Sequence, residues 1–265
     1  MYKVGFIGCG KMGGAILSAF ITQGLFGKDE VLVCDANPAA LAKYAAEGVA
    51  TTAAPADVAK SCKTFFLAVK PQDFDALVSS LAKDLRASQL VFSIAAGKTL
   101  ARIRELTGPR PRLIRVMPNL PVLVGEGMVA YAPDVSAKPA DVRLAAKLLG
   151  ACGRAVQLDE GQFDAVTALS GSGPAFFAYV MEAMSAAGEK LGLPADAARL
   201  LANRTMLGTA KYLAETGQNP QDFIKAVCSP KGTTEAGMKE LYASSVASTM
   251  EKTLAAAAKR SAELK

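Results

Sequence analysis

Gly8, Gly10 and Gly13 stand in the stretch FIGCGKMGGAI, spaced as G-x-G-x-x-G. Between a strand and a helix, glycines at this spacing form a cradle for a pyrophosphate. The first permits a tight turn, the second lets the backbone approach the phosphates, and the third lets the next helix pack close to the strand. The free N–H groups of that helix then face the anion. A second polar cluster, CSPKGTT, runs from Cys228 to Thr234 and holds a proline, a lysine, a glycine and the hydroxyls of Ser229, Thr233 and Thr234. A loop between helices needs no such inventory. The chain also has no histidine to act as acid or base. Taken alone, the cluster reads as a helix break with Ser or Thr caps.

Other candidates fall where strand-like runs end. Asp35 closes EVLVCD, where an acidic residue bonds a ribose 2′-hydroxyl and repels a 2′-phosphate; the alternative is an aspartate capping the helix that begins at Pro38. Lys70, in AVKP (Ala68, Val69, Lys70, Pro71), is placed either beside cofactor phosphate or ribose or as a solvated loop lysine. The small residues of SIAAG, Ala95 among them, leave room for a nicotinamide ring. Asn119 in MPN is placed to bond cofactor or substrate, or to form a turn with Pro118. Cys9 reads as a small filler in the phosphate loop.

The elements that must hold these groups alternate along the front of the chain. Apolar, β-branched runs (KVGFIG, EVLVCD, KTFFLAV, QLVFSIAA, RLIRVMP) are separated by segments with helical spacing such as MGGAILSAFITQG and DFDALVSSLAKDL. Several runs are apolar throughout, as strands covered on both faces are. Strand–helix alternation over this length predicts a doubly wound parallel sheet, a Rossmann domain. GMVAYAP and GRAVQLD are expected to finish it. Beyond residue 160 only helical patterns follow, the last one running unbroken from TTEAGMKELY to the end. The expected domains are therefore 1–160, binding a dinucleotide, and 161–265, all helical. The helical part has limited core of its own and is expected to complete its burial against a second copy, as a homodimer or a larger assembly of dimers.

The net charge of +6 is spread out, with no run of five like charges, so no nucleic-acid partner is expected and a mildly basic cleft for a small anion is. Five scattered cysteines without a C-x-x-C pair, and no histidine, predict no metal site and a reducing compartment, the cytoplasm. No apolar run is long enough for a membrane span, and because MYKVGFIG reads as a strand from the start, no leader is expected.

FIGCGKMG, AVKP, SIAAG, RVMPNLP, SGSGPAF and CSPKGTT, in this order over nearly the whole chain, together resemble the pyrroline-5-carboxylate reductase family. The resemblance implies a Rossmann domain followed by an all-α dimerisation domain. It also implies hydride transfer from NADPH or NADH to 1-pyrroline-5-carboxylate, giving L-proline in the last step of its biosynthesis. The substrate would lie where one subunit's cofactor domain meets its partner's helical domain. The family's cofactor contacts carry over onto Gly8, Cys9, Gly10, Lys11, Met12 and Gly13 and onto Ala68 to Pro71; Ile7, Asp35, Ala95 and Asn119 are expected beside them from the residues themselves. Substrate contacts carry over onto the loop from Ser229 to Thr234. There the N–H groups of Gly232 and Thr233 would hold the carboxylate, and the Thr234 hydroxyl would bond the ring nitrogen. Lys231 departs from the family's pattern, which has glycine at that position. Two other readings stay open: a related two-domain NAD(P)-dependent dehydrogenase of a small hydroxy or keto acid, and a non-catalytic dinucleotide sensor. The first needs a base such as a lysine on the helix that follows SGSGP, and none precedes Lys190 there. The second has no use for the polar loop.

Overall fold

The protein is described from a computed structural model, residues 1–264. Eight strands form one sheet: β1 Tyr2–Ile7, β2 Val31–Cys34, β3 Ala50–Thr52, β4 Cys62–Leu67, β5 Leu90–Ser93, β6 Arg112–Met117, β7 Gly127–Pro133 and β8 Gly153–Gln157, in the order β3-β2-β1-β4-β5-β6-β7-β8. β1 to β6 are all parallel. The sheet is not parallel throughout: β7 runs antiparallel to β6, and β8 follows β7. β6 and β7 are joined only by a short 3₁₀ turn, Leu120–Val124. A connection that short returns the chain antiparallel, because a parallel crossover needs a dozen residues or more.

Helices α1 Lys11–Thr22, α2 Pro38–Ala46, α3 Pro55–Ser61, α4 Pro71–Leu81, α5 Leu100–Thr107 and α6 Pro139–Gly150 cover the sheet. Alternate residues of each central strand serve the two faces. Val4, Phe6, Phe66 and Phe92 pack on one side with Ile16 and Phe20 of α1; Phe65, Leu67 and Val91 pack on the other with Phe74 and Val78 of α4. Phe66 stacks between Phe6 and Phe92, with ring centroids 4.9 and 4.6 Å away. Burial on both sides is why these strands read as unbroken apolar runs. β3, only three residues long and half-buried, carries no such signal.

The strand register sets up the functional rim. Cys34, Ile7, Leu67 and Ser93 are paired in sequence across β2, β1, β4 and β5, so these four strands end level. The ladder runs one residue further, with Gly8 N–H donating to Cys34 O at 2.8 Å and Ala68 N–H to Ile7 O at 2.8 Å.

α7 Phe163–Val166 follows, then a wide π-turn at Thr167–Gly171, then α8 Gly173–Lys190, α9 Ala195–Thr216, α10 Pro220–Val227, α11 Thr233–Ala243 and α12 Val246–Glu263. The single last helix expected from the sequence is two: it breaks at Ser244, which is extended (ψ 171°) and whose hydroxyl accepts the Val246 N–H at 3.3 Å. A serine side chain that satisfies the next helix's first turn makes the break cheap. By contact density the chain divides into Met1–Ser172 with the segment from Ala257 onward, and Gly173–Ala256. Within the second unit only Gly173, Ala198 and Ala202 are fully buried, while Phe177 is 61 %, Leu200 60 % and Tyr242 73 % exposed. Large apolar side chains exposed in such number are the kind of surface that protein partners cover.

Candidate active site

The phosphate loop is built by crowding. Gly8 has φ +91°, and a Cβ on it would lie 2.7 Å from the Ala68 carbonyl, so β1 and the β4–α4 loop touch here only through glycine. A Cβ on Gly13 would overlap the Gly8 carbonyl oxygen. Gly10 is different. It precedes α1 with φ −64°, and a Cβ there meets nothing within 4 Å. Gly8 and Gly13 are therefore demanded by the fold, whereas the room at Gly10 faces outward. Among the described residues the N–H groups of Lys11, Met12 and Gly13 have no partner; the first closed bond of the turn is Gly14 N–H to Gly10 O at 2.8 Å. This open helix end, with a space a Cβ would fill, suits a dinucleotide pyrophosphate.

Asp35 organises the side of the loop. Its Oδ2 accepts the Cys9 N–H at 2.6 Å and its Oδ1 the Asn37 N–H at 2.8 Å. The helix that starts at Pro38 is capped by Asn37, whose Oδ1 accepts the Ala39 N–H at 3.0 Å, so capping is not what Asp35 does. Lys70 is exposed at the N-terminus of α4, ahead of Pro71, and Val69 is half-buried; Ile7, Cys9 and Ala95 are buried and Met12 packs against the core beneath α1. Among the described residues Lys11 and Lys70 have no ion pair. Burial, and next the Asp35 charge, push the Cys9 thiol far up; burial takes Cys34 and Cys62 to about 11 and Cys152 to about 12. These four thiols stay protonated at neutral pH and offer no nucleophile, and the described residues hold no cluster that could ligate a metal.

Asn119 is spent on the fold. Its Nδ2 donates to the backbone and hydroxyl oxygens of Ser170, both at 3.3 Å, and its Oδ1 accepts the Met128 N–H at 2.9 Å. It ties the end of β6 to the π-turn. Ser170 was not singled out in the sequence, and neither was Tyr44, whose hydroxyl sits where a Cβ on Gly14 would be.

In the helical unit, CSPKGTT forms a tight turn ahead of α11. Ser229 O accepts the Gly232 N–H at 3.0 Å, and Ser229 Oγ lies 2.5 Å from where a Gly232 Cβ would sit. The Gly232 N–H, expected to face a carboxylate, thus closes the turn instead. The open donors are one step along: among the described residues the N–H groups of Thr233, Thr234 and Glu235, and both threonine hydroxyls, have no partner. A helix N-terminus with unpaired N–H and O–H donors suits a small carboxylate.

A family model for pyrroline-5-carboxylate reductase dimerisation matches residues 160–264, and one for NADP oxidoreductase, coenzyme F420-dependent, matches residues 3–97. The pyrroline-5-carboxylate reductase of Pseudomonas aeruginosa is 38 % identical over 99 % of this chain and 96 % of its own length. The chain belongs to the pyrroline-5-carboxylate reductase family. The Methanosarcina acetivorans reductase is 36 % identical over 99 % of this chain and 97 % of its own length. Among solved structures, a pyrroline-5-carboxylate reductase from Coxiella burnetii superposes with a TM-score of 0.95 at 32 % identity, covering 100 % of this chain and 98 % of the other. That of Plasmodium falciparum, solved with NADP bound, gives 0.87 at 26 % identity over 99 % and 98 %. The family's match reaches both units, so both the glycine loop and the α11 loop lie in segments shared with its members. No helix among the described residues is long and apolar enough to cross a membrane.

Proposed function

We propose that this protein reduces 1-pyrroline-5-carboxylate to L-proline with NADPH or NADH. One observation carries the reading: the N-terminus of α11 presents unpaired N–H and hydroxyl donors in a chain with no histidine. The reduced nicotinamide, when bound, supplies a hydride. The chain's own task is to bind, orient and exclude water. The N–H groups of Lys11, Met12 and Gly13 receive the pyrophosphate, with Ala68 to Pro71 alongside, Asp35 meets the ribose, and the small residues around Ala95 leave space for the ring. At α11 the N–H groups of Thr233 and Thr234 hold the substrate carboxylate, and the Thr234 hydroxyl bonds the ring nitrogen. A protonated imine is already electrophilic, and the amine left after hydride addition takes its proton from water, so no acid–base side chain is required. A hydroxy-acid dehydrogenase would need one, such as a lysine on the helix that follows SGSGP, and none precedes Lys190 there.

The assembly is a dimer or is built from dimers. The exposed Phe177, Leu200 and Tyr242 and the near absence of buried residues in the helical unit support this. The protein works in the cytoplasm, on the support of its cysteines, which are unpaired.

The test is direct: NADPH or NADH absorbance followed with pyrroline-5-carboxylate, and with a keto acid as control. Thr234→Val removes one polar partner, worth about 1–3 kcal/mol, and should lower kcat/KM roughly ten- to a hundredfold. Thr234→Ser should stay near wild type. Consumption only with the keto acid, or equal behaviour of Val and Ser, refutes the assignment.

A further inference from the structure

We propose that Glu235 is a positioning residue for the α11 loop, holding Lys231 in a left-handed conformation so that the open donors of Thr233 and Thr234 are presented in one geometry. This deepens the proposed function and rests on it. Lys231 has φ +60°, the one non-glycine residue with positive φ among those described. Its Cβ crowds the backbone in that region, so the loop needs something to hold it there. Glu235 Oε2 accepts the Lys231 N–H at 2.5 Å, and Glu235 Oε1 lies 3.2 Å from Lys239 Nζ, one turn along the helix. In a capping box the acid at the third helical position reaches back to the N–H of the cap residue itself. Here that residue is Gly232, and its N–H is already taken by Ser229 O at 3.0 Å. Glu235 therefore reaches one residue further back, to Lys231. The two bonds, Gly232 to Ser229 and Lys231 to Glu235, fix the turn from both sides and consume the two N–H groups ahead of the helix. The donors left over are those of the first helical turn.

Glu235 has a second effect, of opposite sign. It places a negative charge at the helix end that receives the substrate's carboxylate, so the order it imposes comes with repulsion. Replacing the carboxylate by an amide separates the two, because Gln keeps an acceptor for the Lys231 N–H.

The experiment measures kcat and KM for pyrroline-5-carboxylate, KM for NADPH and the thermal midpoint of wild type, E235A, E235Q, K231G and K231G/E235A, with Thr234→Val as reference. E235A should raise KM for pyrroline-5-carboxylate about five- to tenfold, as loss of one hydrogen bond does, with a smaller change in kcat and none in KM for NADPH. E235Q should stay within about twofold of wild type or bind substrate slightly better. Glycine adopts the left-handed region freely, so E235A should raise KM by no more than about twofold when made on K231G. The inference is overturned by E235A at wild-type KM, by E235Q as damaging as E235A, or by an equal E235A penalty in both backgrounds. A rise in KM for NADPH together with a lowered midpoint would also overturn it, as general destabilisation. If E235A does not fold, K231G/E235A must still fold and keep a KM near that of K231G; failure of either overturns it. If Thr234→Val is silent too, the loop is not the substrate site and the inference falls with that reading. If Thr234→Val is impaired and E235A is silent, only the inference is lost.

Discussion

Gly10→Ala and Gly13→Ala are the same chemical change three residues apart, and the structure expects opposite consequences. A Cβ on Gly10 meets nothing within 4 Å, and its φ of −64° suits alanine. Gly→Ala at a compatible position stabilises by about 0.4–1 kcal/mol through the unfolded chain. The thermal midpoint should therefore hold or rise slightly. The new methyl, however, stands in front of the α1 donors, where the pyrophosphate is proposed to lie. Losing one charge-assisted hydrogen bond, about 1.5–3 kcal/mol, should raise the Kd for NADPH by roughly ten- to a hundred-and-fiftyfold. At Gly13 the Cβ overlaps the Gly8 carbonyl oxygen and lies 2.9 Å from Ala68 Cβ. Overpacking of this kind costs about 1–3 kcal/mol, and each kcal/mol lowers the midpoint of a chain this size by about 2–4 °C. Thermal melts and a fluorescence titration with NADPH separate the two effects. A Gly10→Ala protein that binds NADPH like wild type would refute the proposed course of the cofactor. One that melts early would refute the claim that the space at Gly10 belongs to a ligand.

Asp35→Ser should weaken NADH relative to NADPH by about 1–3 kcal/mol in the ratio of kcat/KM values, measured in parallel assays; an unchanged ratio would leave Asp35 with only its bonds to Cys9 and Asn37. Light scattering should find no monomer at low micromolar concentration, and a stable, active monomer would contradict the proposed assembly.

The sheet was legible where strands are buried on both faces. The central runs stand out because Phe6, Phe66 and Phe92, with their apolar neighbours on β1, β4 and β5, fill both faces of the sheet. β3 does not stand out, since three half-buried residues have no periodicity to detect. The reversal at β7 was hidden for a different reason. Strand direction depends on connection length, and LPVLV reads as apolar filling until it is seen to be a single 3₁₀ turn.

The candidate site divides along the same line. The glycines were readable because their role is an absence of atoms, and spacing along the chain reports that absence. Asn119 was not, because an amide is equally suited to a ligand and to its own fold; only the position of Ser170, 51 residues away, shows where its hydrogen bonds go. The α11 loop lies between these cases. Its donors were visible as residue types, but which N–H groups are free depends on which ones the turn consumes. Ser229 takes the Gly232 N–H and Glu235 takes that of Lys231, and both bonds follow from a left-handed residue at 231 that lysine does not advertise. A backbone donor has no letter of its own in a sequence. A site made of such donors is therefore legible as a place well before it is legible as a set of contacts, and the step from one to the other is taken by the residues that use up the neighbouring bonds.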